Sequence, residues 1–83
     1  MEEQHYQLVR TLRCKNVNVP GVLGTLTTAI GAAGANIGTM RLVQMGHRYL
    51  VRDIDIFIDS EAHLDGVVQA VSALKDVSLV EVR

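Results

Sequence analysis

The chain has 83 residues, of which 48% are hydrophobic and 20% charged, and its formal net charge is −1. A chain this short makes one small domain and buries only about 60% of the surface exposed on unfolding. The composition is globular and not that of a disordered segment, and the balanced charge leaves no footprint for nucleic acid or an anionic membrane surface.

Residues 1–5 read as a disordered tail. From Tyr6 to Lys15 the residues alternate weakly, with Leu8, Leu12 and Cys14 pointing one way and Val9, Thr11, Arg13 and Lys15 the other; Arg10 breaks the pattern. Period two of this kind predicts a first strand. It runs into Asn16-Val17-Asn18-Val19-Pro20-Gly21-Val22-Leu23, where a strand ends, a tight turn follows and a helix begins. Pro20 suits the first helical position because it has no N–H to leave unpaired and its φ is already helical. The N–H groups of Gly21, Val22 and Leu23 then fall in the first turn, beyond the reach of any intrahelical carbonyl. A small carboxylate satisfies such groups better than water does, since the helix dipole adds roughly 0.3–1 kcal/mol at an exposed N-terminus. Asn16 and Asn18 flank the turn with uncharged donors and acceptors. This corner is read as a binding site, against the plainer reading of a strand-to-helix turn filled by water.

Val22, Leu23, Leu26, Ile30 and Ala33 recur at helical spacing, so the first helix is expected from about Gly21 to Ala33, with Gly34 as a left-handed cap. Ala35-Asn36 turns the chain into a second strand, 37–45, whose facing is undefined because Gly38 and Arg41 interrupt its alternation and allow a bulge. Gly46-His47 reads as a hairpin turn. The third strand, 48–59, alternates cleanly: Leu50, Ile54, Ile56 and Ile58 on one face, and Tyr49, Val51, Asp53, Asp55, Phe57 and Asp59 on the other. Ser60 is the expected cap of a second helix, with Glu61 in its first turn and an apolar stripe of Leu64, Val67, Val68, Val71 and Leu74, ending near Lys75. A fourth strand, 77–83, carries Val80 and Val82 on one face. The order strand, helix, strand, strand, helix, strand predicts an α+β, ferredoxin-like βαββαβ sandwich: a four-stranded antiparallel sheet with two helices on one face. Each Leu or Ile buried between the layers is worth about 1.5–3 kcal/mol.

Element order and the Asn18-Val19-Pro20-Gly21-Val22-Leu23 corner together resemble the ACT domain, a regulatory module for amino acids and other small effectors. The likeness covers about Leu8 to Arg83 and includes the Asn36-Ile37 step into the second strand. Within that family, Ala29-Ile30-Gly31-Ala32-Ala33-Gly34-Ala35-Asn36-Ile37-Gly38 and Val51-Arg52-Asp53-Ile54 look most like the ACT domain N-terminal to the catalytic part of bacterial malic enzymes. The resemblance implies an effector, an amino acid or small carboxylate, held at the joint between paired domains. Asn16, Asn18 and Asn36 would give polar contacts, and Gly21, Val22 and Leu23 backbone N–H groups. The chain departs from the family at Val19, where Arg is usual, and at Asn16 and Val17, which replace residues often apolar and proline.

Other residues carry less. Asp53 and Asp55 share a strand face about 7 Å apart, but Arg13 and Lys15 on the neighbouring strand make cross-strand ion pairs the simpler account than acid–base chemistry. His5, His47 and His63 lack helical partners and read as surface histidines, not a metal site. Gly31, Gly34 and Gly38 close a helix and do not open one, unlike a dinucleotide loop. Cys14 is expected in the core; as the only cysteine it cannot form an internal disulfide, and with an acidic N-terminus lacking an apolar h-region it suggests a cytoplasmic protein. No apolar run reaches bilayer length. No cofactor is implied.

Val9, Val51, Phe57 and Leu42 are expected on the uncovered sheet face, where, with two open edge strands, they favour a homodimer through a sheet edge or the open face, or docking on a larger enzyme. The end at Arg83 reads as that of an excised module joined to a catalytic domain. Three functions follow: a non-catalytic effector-sensing domain controlling a linked metabolic enzyme, in the resemblance a malic enzyme; a ligand-free dimerisation module; and an acylphosphatase-like hydrolase, disfavoured because the loop after the first strand has no Arg.

Overall fold

A computed structural model describes residues 8–83. The tail, His5 and the expected start of the first strand at Tyr6 lie outside the described residues. The elements are β1 (Leu8–Val17), α1 (Val22–Ala32), β2 (Asn36–Met45), β3 (Tyr49–Ile58), α2 (Glu61–Ser72) and β4 (Val77–Val82). The sheet order is β2-β3-β1-β4, and every neighbouring pair is antiparallel. Leu26 and Ile30 of α1 and Val67 and Val71 of α2 meet Leu12, Cys14, Ile54, Ile56 and Ile58 of the sheet in one core. Both helices therefore lie on the same face, as the stripes require.

The strands depart from the expected pattern at β1, β2 and β4. β1 continues past Lys15 because Asn16, although polar, pairs with Leu50 on one side and Val77 on the other and is buried. In β2 the register shifts twice, between Ile37 and Met40 and again between Leu42 and Gln44. Each bulge inverts the side-chain parity that follows it. Leu42 consequently stands opposite Arg52, on the helix-side register, and not on the open face as expected, while Val43 turns outward instead. Gly38 lies in the first of these irregularities, and a Cβ there would come within 2.7 Å of the Phe57 ring. A third bulge, in β4 beside Arg13 and Cys14, separates Val80 from Val82: Val82 pairs with Leu12 and Val80 faces the open side. Their expected common face is lost.

α2 stops at Ser72, short of Lys75, because its end tightens: the Leu74 N–H donates to the Val71 carbonyl three residues back. Gly34, at φ 88°, closes α1 as expected, with the Ala35 N–H reaching the Ile30 carbonyl. Cys14 is buried in the core, and loss of hydration, assisted by Asp53, pushes its thiol up to about 11. On the open face the carboxylates are tied by arginines, as the strand neighbours suggested. Asp53 accepts from Arg13 Nε (2.8 Å), Arg13 Nη2 (3.0 Å) and Arg83 Nη2 (2.6 Å). Asp55 accepts from both Nη atoms of Arg41 (3.1 Å each) and from Thr11 Oγ1 (2.7 Å). These donors hold both carboxyls below the ordinary range, Arg13 being the main cause for Asp53 and Arg41 for Asp55. Lys15 makes no ion pair among the described residues; its ammonium sits 4.3 Å from the centre of the Tyr49 ring.

Candidate functional site: the β1–α1 corner

The corner is built by the end of β1 and fastened from both sides. The Val17 N–H donates to the Asp76 carbonyl (3.0 Å) and the Asn18 N–H to the Arg48 carbonyl (2.8 Å), so the turn is tied to the start of β4 and to the β2–β3 hairpin. The Asn18 amide donates to the Gly46 carbonyl (3.1 Å) and lies 3.4 Å from that of His47. The Val19 N–H folds back on the Val17 carbonyl at 3.0 Å, which makes the bend tight. Gly21 then takes φ 91°, a left-handed conformation that a Cβ opposes, and serves as the N-cap without any side-chain bond. Pro20 therefore precedes the cap and is not the first helical residue. The left-handed glycine moves the start of α1 one residue later.

That shift changes which donors are free. The Val22 N–H, expected to be available, reaches back to the Val19 carbonyl at 3.4 Å. Among the described residues no acceptor meets the N–H groups of Gly21, Leu23 or Gly24. No acidic residue stands in the first turn of α1. Among the described residues, the positive end of the helix dipole thus has no acidic group in its first turn. Beside it runs a shallow groove of about 550 Å³ over the outer surface of α1, walled by Gly21, Gly24, Thr25 and Thr28 and, from beyond α2, by Leu74.

The three asparagines are placed differently from one another. Asn16 is buried; its amide donates to the Val17 carbonyl (2.9 Å) and its Oδ1 accepts from Arg52 Nη1 (2.8 Å). Asn18 is exposed, yet its amide is engaged by the hairpin. Asn36 opens β2 opposite Phe57, at the far end of the sheet from the corner, and its Oδ1 accepts from the Ile37 N–H. One chain therefore does not bring Asn36 to the corner. Sequence reading passed over Arg52, which occupies the helix-side face of β3 between Leu50 and Ile54 and, among the described residues, makes no ion pair with a carboxylate. The signal was available: position 52 has the parity of the apolar residues around it.

His63 also differs from expectation. It is half-buried, its Nδ1 accepts from the Asp59 N–H (3.0 Å), and its Nε2 lies 2.9 Å from the Ala33 carbonyl. Acceptance at Nδ1 places the ring proton on Nε2, which donates to Ala33. This histidine joins the end of α1 to the start of α2.

A βαββαβ sheet in the order β2-β3-β1-β4, with both helices on one face and arginines neutralising Asp53 and Asp55 on the other, defines a small domain of ferredoxin-like fold. The profile of the ACT domain family matches residues 5–81, and the chain belongs to that family. Over 67 residues, 81% of this chain, it is 40% identical to NAD-dependent malic enzyme 1 of Bacillus subtilis (strain 168); the chain spans 15% of that relative's length. Among solved structures, the ACT domain from GTP pyrophosphokinase of Chlorobium tepidum superposes with a TM-score of 0.74 at 19% identity, covering 90% of this chain and 96% of the other. A homoserine dehydrogenase from Thiobacillus denitrificans superposes at 0.65 and 18% identity, covering 90% of this chain and 16% of that one. These two share the fold. ACT domains are regulatory and non-catalytic, which sets aside the acylphosphatase-like reading. No helix among the described residues is long and apolar enough to cross a membrane.

Proposed function

We propose that this ACT domain senses a small effector, an amino acid or small carboxylate, and controls a linked metabolic enzyme of the malic enzyme type in the cytoplasm. The observation that carries the reading is the start of α1, where the Gly21, Leu23 and Gly24 N–H groups meet no acceptor among the described residues, no acidic residue stands in the first turn, and Gly21 and Gly24 border an open groove. An effector carboxylate supplies the acceptor this helix lacks. The similarity to an NAD-dependent malic enzyme supports the choice of linked enzyme. Capture at a joint between two copies shifts the population of assemblies, with a coupling of about 1–3 kcal/mol between effector and activity. Asn36, remote from the corner of its own chain, would contribute from the second copy.

Titrating the 83-residue chain with amino acids and small organic acids, while following backbone amide shifts, tests the reading. Saturable shifts at Asn18, Val19 and Gly21 to Gly24 are expected, and silence across the panel refutes it. A second reading, a pairing module without ligand, is favoured by one observation: the Asn16 and Asn18 amides are spent on the protein's own carbonyls. In that case sedimentation gives a dimer whose mass and dissociation constant no member of the panel changes.

A further inference from the structure

Away from the corner's N–H groups, the open face of the sheet is not flat. The bulges of β4 and of the second half of β2 lie at the same level across the sheet, since Leu79 and Cys14 align with Arg52, and Arg52 with Leu42. Bulges bend a strand and redirect a side chain. Here they turn Val80 on one edge strand and Val43 on the other toward the open side, where they flank a concavity of about 360 Å³. Val51 and the Tyr49 ring, from the central strand β3, complete its apolar lining. Arg13 and Lys15 of β1 are the charged groups that line it.

The two cations are not equivalent. Arg13 is committed through Nε and Nη2 to Asp53. The Lys15 ammonium sits over the Tyr49 ring and, among the described residues, has no carboxylate partner. The size falls within the range of small-molecule sites, and the lining has the usual character of such sites: mostly apolar, with few polar groups. A neutral apolar guest would leave the ammonium without a counter-charge, and a bare anion would leave three valines exposed.

We infer that this trough is a second ligand site, distinct from the corner, for a small organic monoanion with an apolar body, its carboxylate on Lys15 and its body between Val43 and Val80. Gln44, which also lines the trough, gives a neutral amide to the same carboxylate. The site shares no residue with the corner, so ligands at the two places can be told apart by which resonances move.

Benzoate serves as probe and benzamide as its neutral isostere, followed by methyl and amide shifts of the 83-residue chain. Benzoate is expected to shift Val43, Val51 and Val80 saturably and to bind at least about tenfold more tightly than benzamide, the factor a charge-assisted bond supplies. Lys15→Met, an exposed change that leaves the core untouched, abolishes the preference, and Val80→Asp abolishes binding of both probes. Equal affinity for the two probes, benzoate shifts confined to residues 18–24, or no saturable shift overturns the proposal. A concentration-dependent dimer that broadens the three valines and excludes benzoate also overturns it, and reassigns the trough to a second copy.

Discussion

The two helices of this domain begin in opposite ways. α2 starts from Ser60 in extended conformation, its side chain accepting from the His63 N–H at 3.1 Å and its carbonyl from the Leu64 N–H at 3.0 Å. Glu61 faces the dipole in the first turn and meets the Arg10 guanidinium, and His63 takes the Asp59 N–H on its ring. α1 starts from a left-handed glycine with no side-chain cap and no acid. The helices are nearly the same length, 11 and 12 residues, and both bury three apolar residues in one core. Stability therefore did not require one to be capped and the other bare. The difference marks α2's start as structural and leaves α1's start with N–H groups that no acceptor among the described residues meets.

The sharpest way to break the comparison is at α2. His63→Ala removes two hydrogen bonds and leaves the Asp59 N–H and Ala33 carbonyl without their partners, so a loss of about 1–3 kcal/mol is expected by urea unfolding. Gly21→Ala places a Cβ at φ 91°, where nothing crowds it but the backbone opposes it; the expected cost is about 1–2 kcal/mol, read as a lower urea midpoint at unchanged slope. Ser60→Ala removes the cap bond and costs about 1 kcal/mol, with faster hydrogen exchange at His63 as the local signature. The smallest effect has the opposite sign. Gly24→Asp, at a position where a Cβ meets nothing, supplies α1 with the acid it lacks and stabilises by about 0.3–1 kcal/mol, while weakening any carboxylate effector at the corner. A more stable variant that binds the effector as well as the parent would remove the contrast between the two starts.

What could be read in advance follows from locality. The cap at Ser60, the left-handed Gly34 and the alternation of β3 are written in neighbouring residues, and each stands where it was expected. The interrupted alternation at Gly38 announced the first bulge of β2, but the second one and that of β4 were not legible, because a bulge is a relation between two strands and nothing in the alternation at Val43 or Val80 marks it. At the corner, the free N–H groups were anticipated as a class, but Pro20 was taken as the first helical residue where Val22 is, since Gly21's left-handed turn is allowed by the sequence without being demanded. Asn16 was read as a loop residue offering its amide outward. Its partner, Arg52, comes from β3, 36 positions along the chain.

The clamp on Asp53 has a consequence for acid. Its carboxyl is held below the ordinary range in the folded chain, so the stability it contributes is complete above the unfolded value near 4 and is withdrawn as pH falls toward the folded one. Protonation there loosens Arg13 and Arg83 together, and Arg83 also exchanges backbone hydrogen bonds with Thr11 at the end of β4. Acidification should therefore peel that edge strand from β1 before the helical layer gives way, a fraying that Asp53→Asn would bring on already at neutral pH.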